Sequence, residues 1–222
     1  PDRSALSDGA TTLTYAELDG TAARVASGIS ELGIGKGDRV AMIADNRIEF
    51  VLVALACAKL AAIFVPMGLR LRAPEIAYIC QNSGARILMH DADLAAVLPE
   101  PSDIPNIEHR ISIAGQTAGS IDFSEIVAAD PLAQEAKLHE DEPFCIFYTS
   151  GTTGKPKGAV ITHLGVVHSS LHWQAHLDLT KGISAVLAIP GSHIAGFAGV
   201  VMPVLHLQGH PAGGRRSSGA GI

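Results

Sequence analysis

The chain has 222 residues, 47% of them apolar and 17% charged, with a formal net charge of −6. That length can bury a large core as one domain or two small ones, and the apolar content excludes a disordered chain. The acidic balance lacks the basic footprint that a phosphate backbone requires, so no nucleic-acid partner is expected.

The first expected element is a helix over "TYAELDGTAARVASGISELG" from position 14. Thr14 and Glu17 form a capping box, and Leu18, Ala22, Val25, Ala26 and Ile29 recur on one face. Gly33 and "GIGKG" end it, and "DRVAMIA" at 38–44 reads as a strand. The run "FVLVALACAKLAAIFVPMGL" at 50–69 has the length of a membrane span, but Lys59 sits in its middle and Pro66 near its end. It reads instead as a buried helix ending near Lys59 or Leu60, followed by an inner strand, "AIFVP", so no transmembrane span is expected. A helix near 74–82 and a strand "RILMH" at 86–90 repeat the alternation. The fold class is therefore α/β, with layered β/α subdomains and mostly parallel sheets. Cys57, Cys80 and Cys145 stand in apolar surroundings and read as buried thiols in a reducing compartment. No basic stretch followed by an apolar run opens the chain, and a cytoplasmic location is expected.

Residues 91–142 are less regular, with a strand candidate "HRISI", a short helix after Asp122 and a polar link, "QEAKLHEDEP". Apolar density then returns sharply in "FCIFYTS", which places a boundary near 136–143. The expected division is a first β/α subdomain at 1–140 and the start of a second at 141–207. The second holds a strand "GAVIT", a helix over about 163–177, a strand "SAVLAIP" and an apolar helix after His193 ending near Leu207. The final "GHPAGGRRSSGAGI" carries five glycines and is expected to supply neither strand nor core helix, leaving 208–222 as a disordered tail.

Between "FCIFY" and "GAVIT" lies the loop of "YTSGTTGKPKG", at 148–158. An apolar strand delivers it, as at the ligand end of open α/β sheets. Gly151 and Gly154 let successive amides turn inward around an anion. Thr149, Ser150, Thr152 and Thr153 add hydroxyls, Lys155 and Lys157 add positive charge, and Pro156 stiffens the exit. A Walker A loop is excluded, because Pro156 follows Gly154-Lys155 and a strand rather than a helix comes next. A plain hairpin connection is the bland alternative.

"YTSGTTGKPKGAVITH" at 148–163 closely resembles the phosphate loop of the adenylate-forming superfamily of AMP-dependent acyl-CoA synthetases and ligases. The stretches at 12–46 and 60–89, and "AIPGSHIAGF" at 188–197, resemble further parts of that family, so the likeness runs from about 12 to 207 and leaves 208–222 outside it. The resemblance implies that Thr149, Ser150, Gly151, Thr152, Thr153, Gly154 and Lys157 contact the β- and γ-phosphates of ATP. Thr153 would lie near Mg²⁺, and His193 and Lys157 would serve the reaction, His193 beside the substrate carboxylate and Gly196 along the acyl channel. It implies a carboxylic acid joined to coenzyme A through an acyl-adenylate, with an apolar or aryl acid suggested by "IPGSHIAGF".

The family's later elements, an aromatic-Gly-x-Thr-Glu run, a Thr-Gly-Asp run and a C-terminal lysine, have no match here. The chain is therefore expected to be an N-terminal part that does not complete adenylation alone. A non-catalytic packing or oligomerisation module is the alternative, and uncovered sheet edges suggest a homodimer. His168, His172 and His176 recur every four residues on one helix face but lack an acidic or thiolate companion, so they read as groove-lining residues rather than metal ligands. Arg70 and Arg72 read as helix-entry arginines, with contact to a coenzyme A phosphate as the other possibility.

Overall fold

The computed structural model describes residues 1–149 and 155–213. Strands β1 (Ser4–Ser7) and β2 (Thr12–Thr14) open the chain, and α1 (Tyr15–Glu31) follows directly. Its capping box forms as read: the Glu17 amide donates to Thr14 Oγ1 at 3.2 Å, and the Thr14 amide donates to Glu17 Oε2 at 2.8 Å. Next come β3 (Arg39–Ile43), α2 (Ile48–Leu60), β4 (Ile63–Met67), α3 (Ala73–Ser83) and β5 (Ile87–Asp91). The apolar run is thus a buried helix and an inner strand, and among the described residues no helix is long and apolar enough to cross a membrane. Lys59, the charge within that run, reaches the rim and pairs with Asp19 and Glu135, each at 2.6 Å.

Beyond β5 lie β6 (His109–Ile113), β7 (Ile121–Asp122), α4 (Phe123–Val127), β8 (Pro143–Thr149) and β9 (Lys157–Thr162). These complete a seven-stranded sheet in the order β7-β6-β5-β3-β4-β8-β9, parallel except for the β8–β9 pair. The strands alternate between two buried faces. Val40 and Met42 point toward the core shared with α1 and α2, whereas Ala41 and Ile43 point toward α3. The boundary expected near 136–143 therefore falls within one sheet, since β8 lies beside β4. The polar link before it runs behind the helices, its Leu132 and Ala136 amides donating to Ala23 and Lys59 carbonyls at 3.1 and 2.8 Å.

The remaining elements are α5 (His163–His176), β10 (Ser184–Leu187), α6 (Ile194–Gly196), α7 (Met202–His206) and β11 (His210–Gly213). A π-helical turn, Phe197–Val201, joins α6 to α7. Pro203 accounts for it, because its ring cannot approach the carbonyl one turn back and it donates no hydrogen bond. A second sheet has the order β10-β11-β1-β2. The strand β11 replaces, at 210–213, part of the structureless tail expected from 208; positions 214–222 lie outside the described residues. Its place between β10 and β1 supplies backbone partners on both sides, which overrides poor strand composition. Tyr15 Oη also fixes the approach to it, donating to the Gly209 carbonyl at 2.7 Å. One core spans both sheets, with Phe197 at its centre, fully buried and 5.9–6.2 Å from the rings of Phe50, Phe64, Phe144 and Phe147.

Candidate active site

Parallel strands end together, and the chain must turn where they end, so the carboxyl edge of such a sheet is where loops from several strands meet. Here β4 ends at Met67 and β8 at Thr149, and a cleft of about 560 Å³ opens between them. Met67, Leu69, Leu71, Ile79, Tyr148 and Pro190 give it apolar walls. Arg70, Glu75, Thr149, Ser192 and His193 place polar and charged groups at its margins.

Thr149 and Lys157 face each other in the β8–β9 register, and Tyr148 faces Gly158. A side chain at Gly158 would put its Cβ 2.8 Å from Ile146 Cγ2 and 3.0 Å from the Tyr148 ring, so glycine lets β9 lie close over that ring. Tyr148 Oη donates to Asn82 Oδ1 at 2.7 Å. Burial raises the Tyr148 pKa, and Tyr78 and Cys80 push it the same way, so the phenol stays a neutral wall. Lys155 Nζ stands 5.6 Å from the centre of the Tyr78 ring, a cation–π contact.

His193 caps the helix that follows it. Its Nδ1 accepts from the Ala195 amide at 3.2 Å, which leaves the proton of the neutral ring on Nε2. Gly196 is buried against the preceding loop, where a Cβ would lie 2.9 Å from the Pro190 carbonyl carbon.

The cleft thus brings together Thr149, at the end of β8, and His193, in the loop before α6. Lys157 is exposed on β9 and is not among the cleft walls. Ser150, Gly151, Thr152, Thr153 and Gly154 lie outside the described residues. Arg70 reaches the cleft margin, whereas Arg72 precedes α3 and its amide donates to Glu75 Oε2 at 2.9 Å. His168, His172 and His176 are exposed along a separate shallow groove beside Trp173. Among the described residues no cluster of three or more His, Cys, Asp or Glu is arranged to hold a metal ion. Sequence reading missed Asn46, whose side chain bonds the loop carrying Pro190 and Gly191; a lone asparagine after a strand carries no signal of so distant a partner.

Comparison with known proteins gives this cleft a context. The family model of AMP-binding enzymes matches residues 1–210. A feruloyl-CoA synthase from Amycolatopsis sp is 33% identical over 208 residues, covering 92% of this chain and 39% of the relative. The long-chain-fatty-acid–CoA ligase FadD13 of Mycobacterium tuberculosis is 32% identical over 203 residues, covering 87% of this chain and 38% of the relative. The chain therefore spans about two fifths of the length of these curated relatives. Among solved structures, the inhibitor-bound N-terminal domain of FACL13 from M. tuberculosis superposes with a TM-score of 0.86 at 29% identity, over 96% of this chain and 53% of that one. The O-succinylbenzoate coenzyme A synthetase MenE of Bacillus subtilis, in complex with AMP, gives a TM-score of 0.83 at 28% identity, over 98% and 54%. With the family model matching nearly the whole chain and these solved structures superposing on it, the chain belongs to the AMP-binding enzyme family.

Proposed function

We propose that this chain is the acid- and polyphosphate-binding part of an AMP-forming acyl-CoA ligase. The observation that carries the reading is the cleft itself: Thr149, at the mouth of the glycine- and hydroxyl-rich loop, and His193 border the same apolar-walled space. Met67, Leu69, Leu71 and Ile79 would take the hydrocarbon of an aryl or fatty acid, and its carboxylate would lie toward His193 and Arg70. Thr149, Ser150, Gly151, Thr152, Thr153, Gly154 and Lys157 would hold the β- and γ-phosphates of ATP through amides, hydroxyls and charge.

In the reaction proposed for the whole enzyme, a carboxylate oxygen attacks the α-phosphorus, the bond to the β-phosphate oxygen breaks, and pyrophosphate leaves. The thiol of coenzyme A then attacks the acyl carbon, loses its proton, and displaces AMP. The contribution assigned to this chain is orientation and stabilisation of shifting phosphate charge. Mg²⁺ is expected to accompany the polyphosphate near Thr153, and the described residues provide no cluster of ligands for it. Use of ATP and coenzyme A fits a cytoplasmic location.

A second reading, a packing or oligomerisation module that forms a homodimer, draws support from exposed apolar side chains. Val186 is 73% exposed on β10, Leu177 56% and Val160 55%. Calorimetric titration with ATP and with cinnamate separates the two. The ligase part releases heat with both, and Lys157→Ala weakens ATP by about tenfold or more, the worth of a lost charge-assisted hydrogen bond. An absence of heat with either ligand, together with a dimer in light scattering, overturns the first reading in favour of the second.

A further inference from the structure

Asn46 stands just beyond the end of β3, in the larger sheet, yet its carboxamide bonds the end of β10 in the smaller sheet and the loop that follows it. Its Nδ2 donates to the carbonyls of Leu187 and Ile189 at 3.2 and 2.9 Å, and its Oδ1 accepts from the Gly191 amide at 2.7 Å. Two donors and one acceptor thus read the backbone on alternate residues, as a neighbouring strand would. An aspartate could only accept, and an alanine could do neither.

The residue is itself held on a rigid base. The Asn46 amide donates to Asp45 Oδ1, and the Asp45 amide to Asp91 Oδ2, each at 2.8 Å. Asp91 also takes the Arg47 guanidinium, which bonds Glu49 at 3.1 Å as well. The Arg47 and Asp91 side chains are only 7% and 8% exposed. On the far side, the clamped segment leads straight to His193, whose amide donates to the Pro190 carbonyl at 3.0 Å. The His193 carbonyl then accepts from the Gly196 and Phe197 amides at 2.9 and 3.1 Å, and Phe197 is locked in the core. His193 therefore sits between two fixed points, Asn46 on one side and Phe197 on the other.

We propose that Asn46 is a positioning residue, which sets where the His193 imidazole stands by fixing the backbone of residues 187–191. Its catalytic meaning rests on the ligase reading above; its geometric content does not. The test is the NMR signature of the His193 ring, assigned with His193→Gln. Asn46→Ala shifts or splits the His193 ring signals. Asn46→Asp, which keeps only the acceptor for Gly191, moves them less and guards against an alanine variant that does not fold. The control is Asn106→Ala, because Asn106 Nδ2 likewise bonds two backbone carbonyls, Cys80 at 2.9 Å and Ala85 at 2.6 Å, away from the cleft. That variant loses stability while the His193 signals stay in place. Unchanged His193 signals in both Asn46 variants, or an equal shift in Asn106→Ala, overturn the proposal. Cinnamate affinity gives a second arm, with about tenfold weakening expected for Asn46→Ala, the worth of one lost hydrogen bond. A wild-type chain that binds neither cinnamate nor ATP and runs as a dimer overturns the ligase reading, and the ring signals still decide the positioning role.

Discussion

Replacing Gly196 by alanine pits two known effects against each other. Within a helix, alanine is favoured over glycine by about 1 kcal/mol, so propensity alone predicts a more stable protein. The structure predicts the opposite. An added Cβ would fall under 3.0 Å from the Pro190 carbonyl oxygen, 2.9 Å from its carbon and 3.3 Å from Gly191 Cα. Those atoms are backbone, tied by the His193 amide to the Pro190 carbonyl and by Asn46 to Gly191, so they cannot swing aside as a flexible side chain would. Overpacking of this kind costs about 1–3 kcal/mol, and typically exceeds the propensity gain. Gly20 is the internal standard, since it lies inside α1 with nothing within 4 Å of an added Cβ. Urea melts of Gly196→Ala and Gly20→Ala should move in opposite directions, the first down and the second up. A Gly196→Ala protein as stable as Gly20→Ala would show that the helix does not pack on the loop as described.

Phe197→Ala empties the centre of the aromatic cluster and should cost about 3–5 kcal/mol by guanidinium melts; a loss below about 1 kcal/mol would contradict its burial. Asp91→Ala leaves the buried Arg47 guanidinium with Glu49 as its remaining ion-pair partner and takes the acceptor from the Asp45 amide, so it should cost about 2–3 kcal/mol in urea melts, part of which Arg47→Met on the same background should restore. Acidification should destabilise the fold through His90 and His163. Burial lowers both pKa values from the ordinary 6.5, with Arg110 adding to the effect at His90, while Asp91 and Glu142 partly oppose it. The unfolded chain then binds more protons, so the stability they contribute is full above 6.5 and is lost as the pH falls below it, by at most about 1.4 kcal/mol per unit for each histidine. Urea melts between neutral and mildly acidic pH should show this slope, and His163→Gln should flatten it.

What could be read from the sequence was local. Thr14 and Glu17 lie one helical turn apart and announce their own cap, and the face from Leu18 to Ile29 repeats with the helical period. The inner strands announce themselves by apolar runs because both sheet faces are covered. The strands β1, β2 and β11 have no such mark, since their pairing is decided by residues far away in the chain. Asn46 is the same case in a side chain, with bonds to residues more than 140 positions on. The cleft divides likewise: the loop motif and its likeness to a family pointed to Thr149 and His193, but only folding brings Met67, Leu71 and Tyr148 to face them.

The parallel pairing of β1 with β11 sets Ser7 opposite Ala212. During synthesis β1 leaves the ribosome together with its hairpin partner β2 and well before β11. At about 5–20 residues per second, roughly 10–40 s pass before its other neighbour is made. For that interval the edge of β1 beside Ala5 and Leu6, buried in the finished fold, lacks the strand that will pair with it, and an unpaired edge of this kind is open to mispairing.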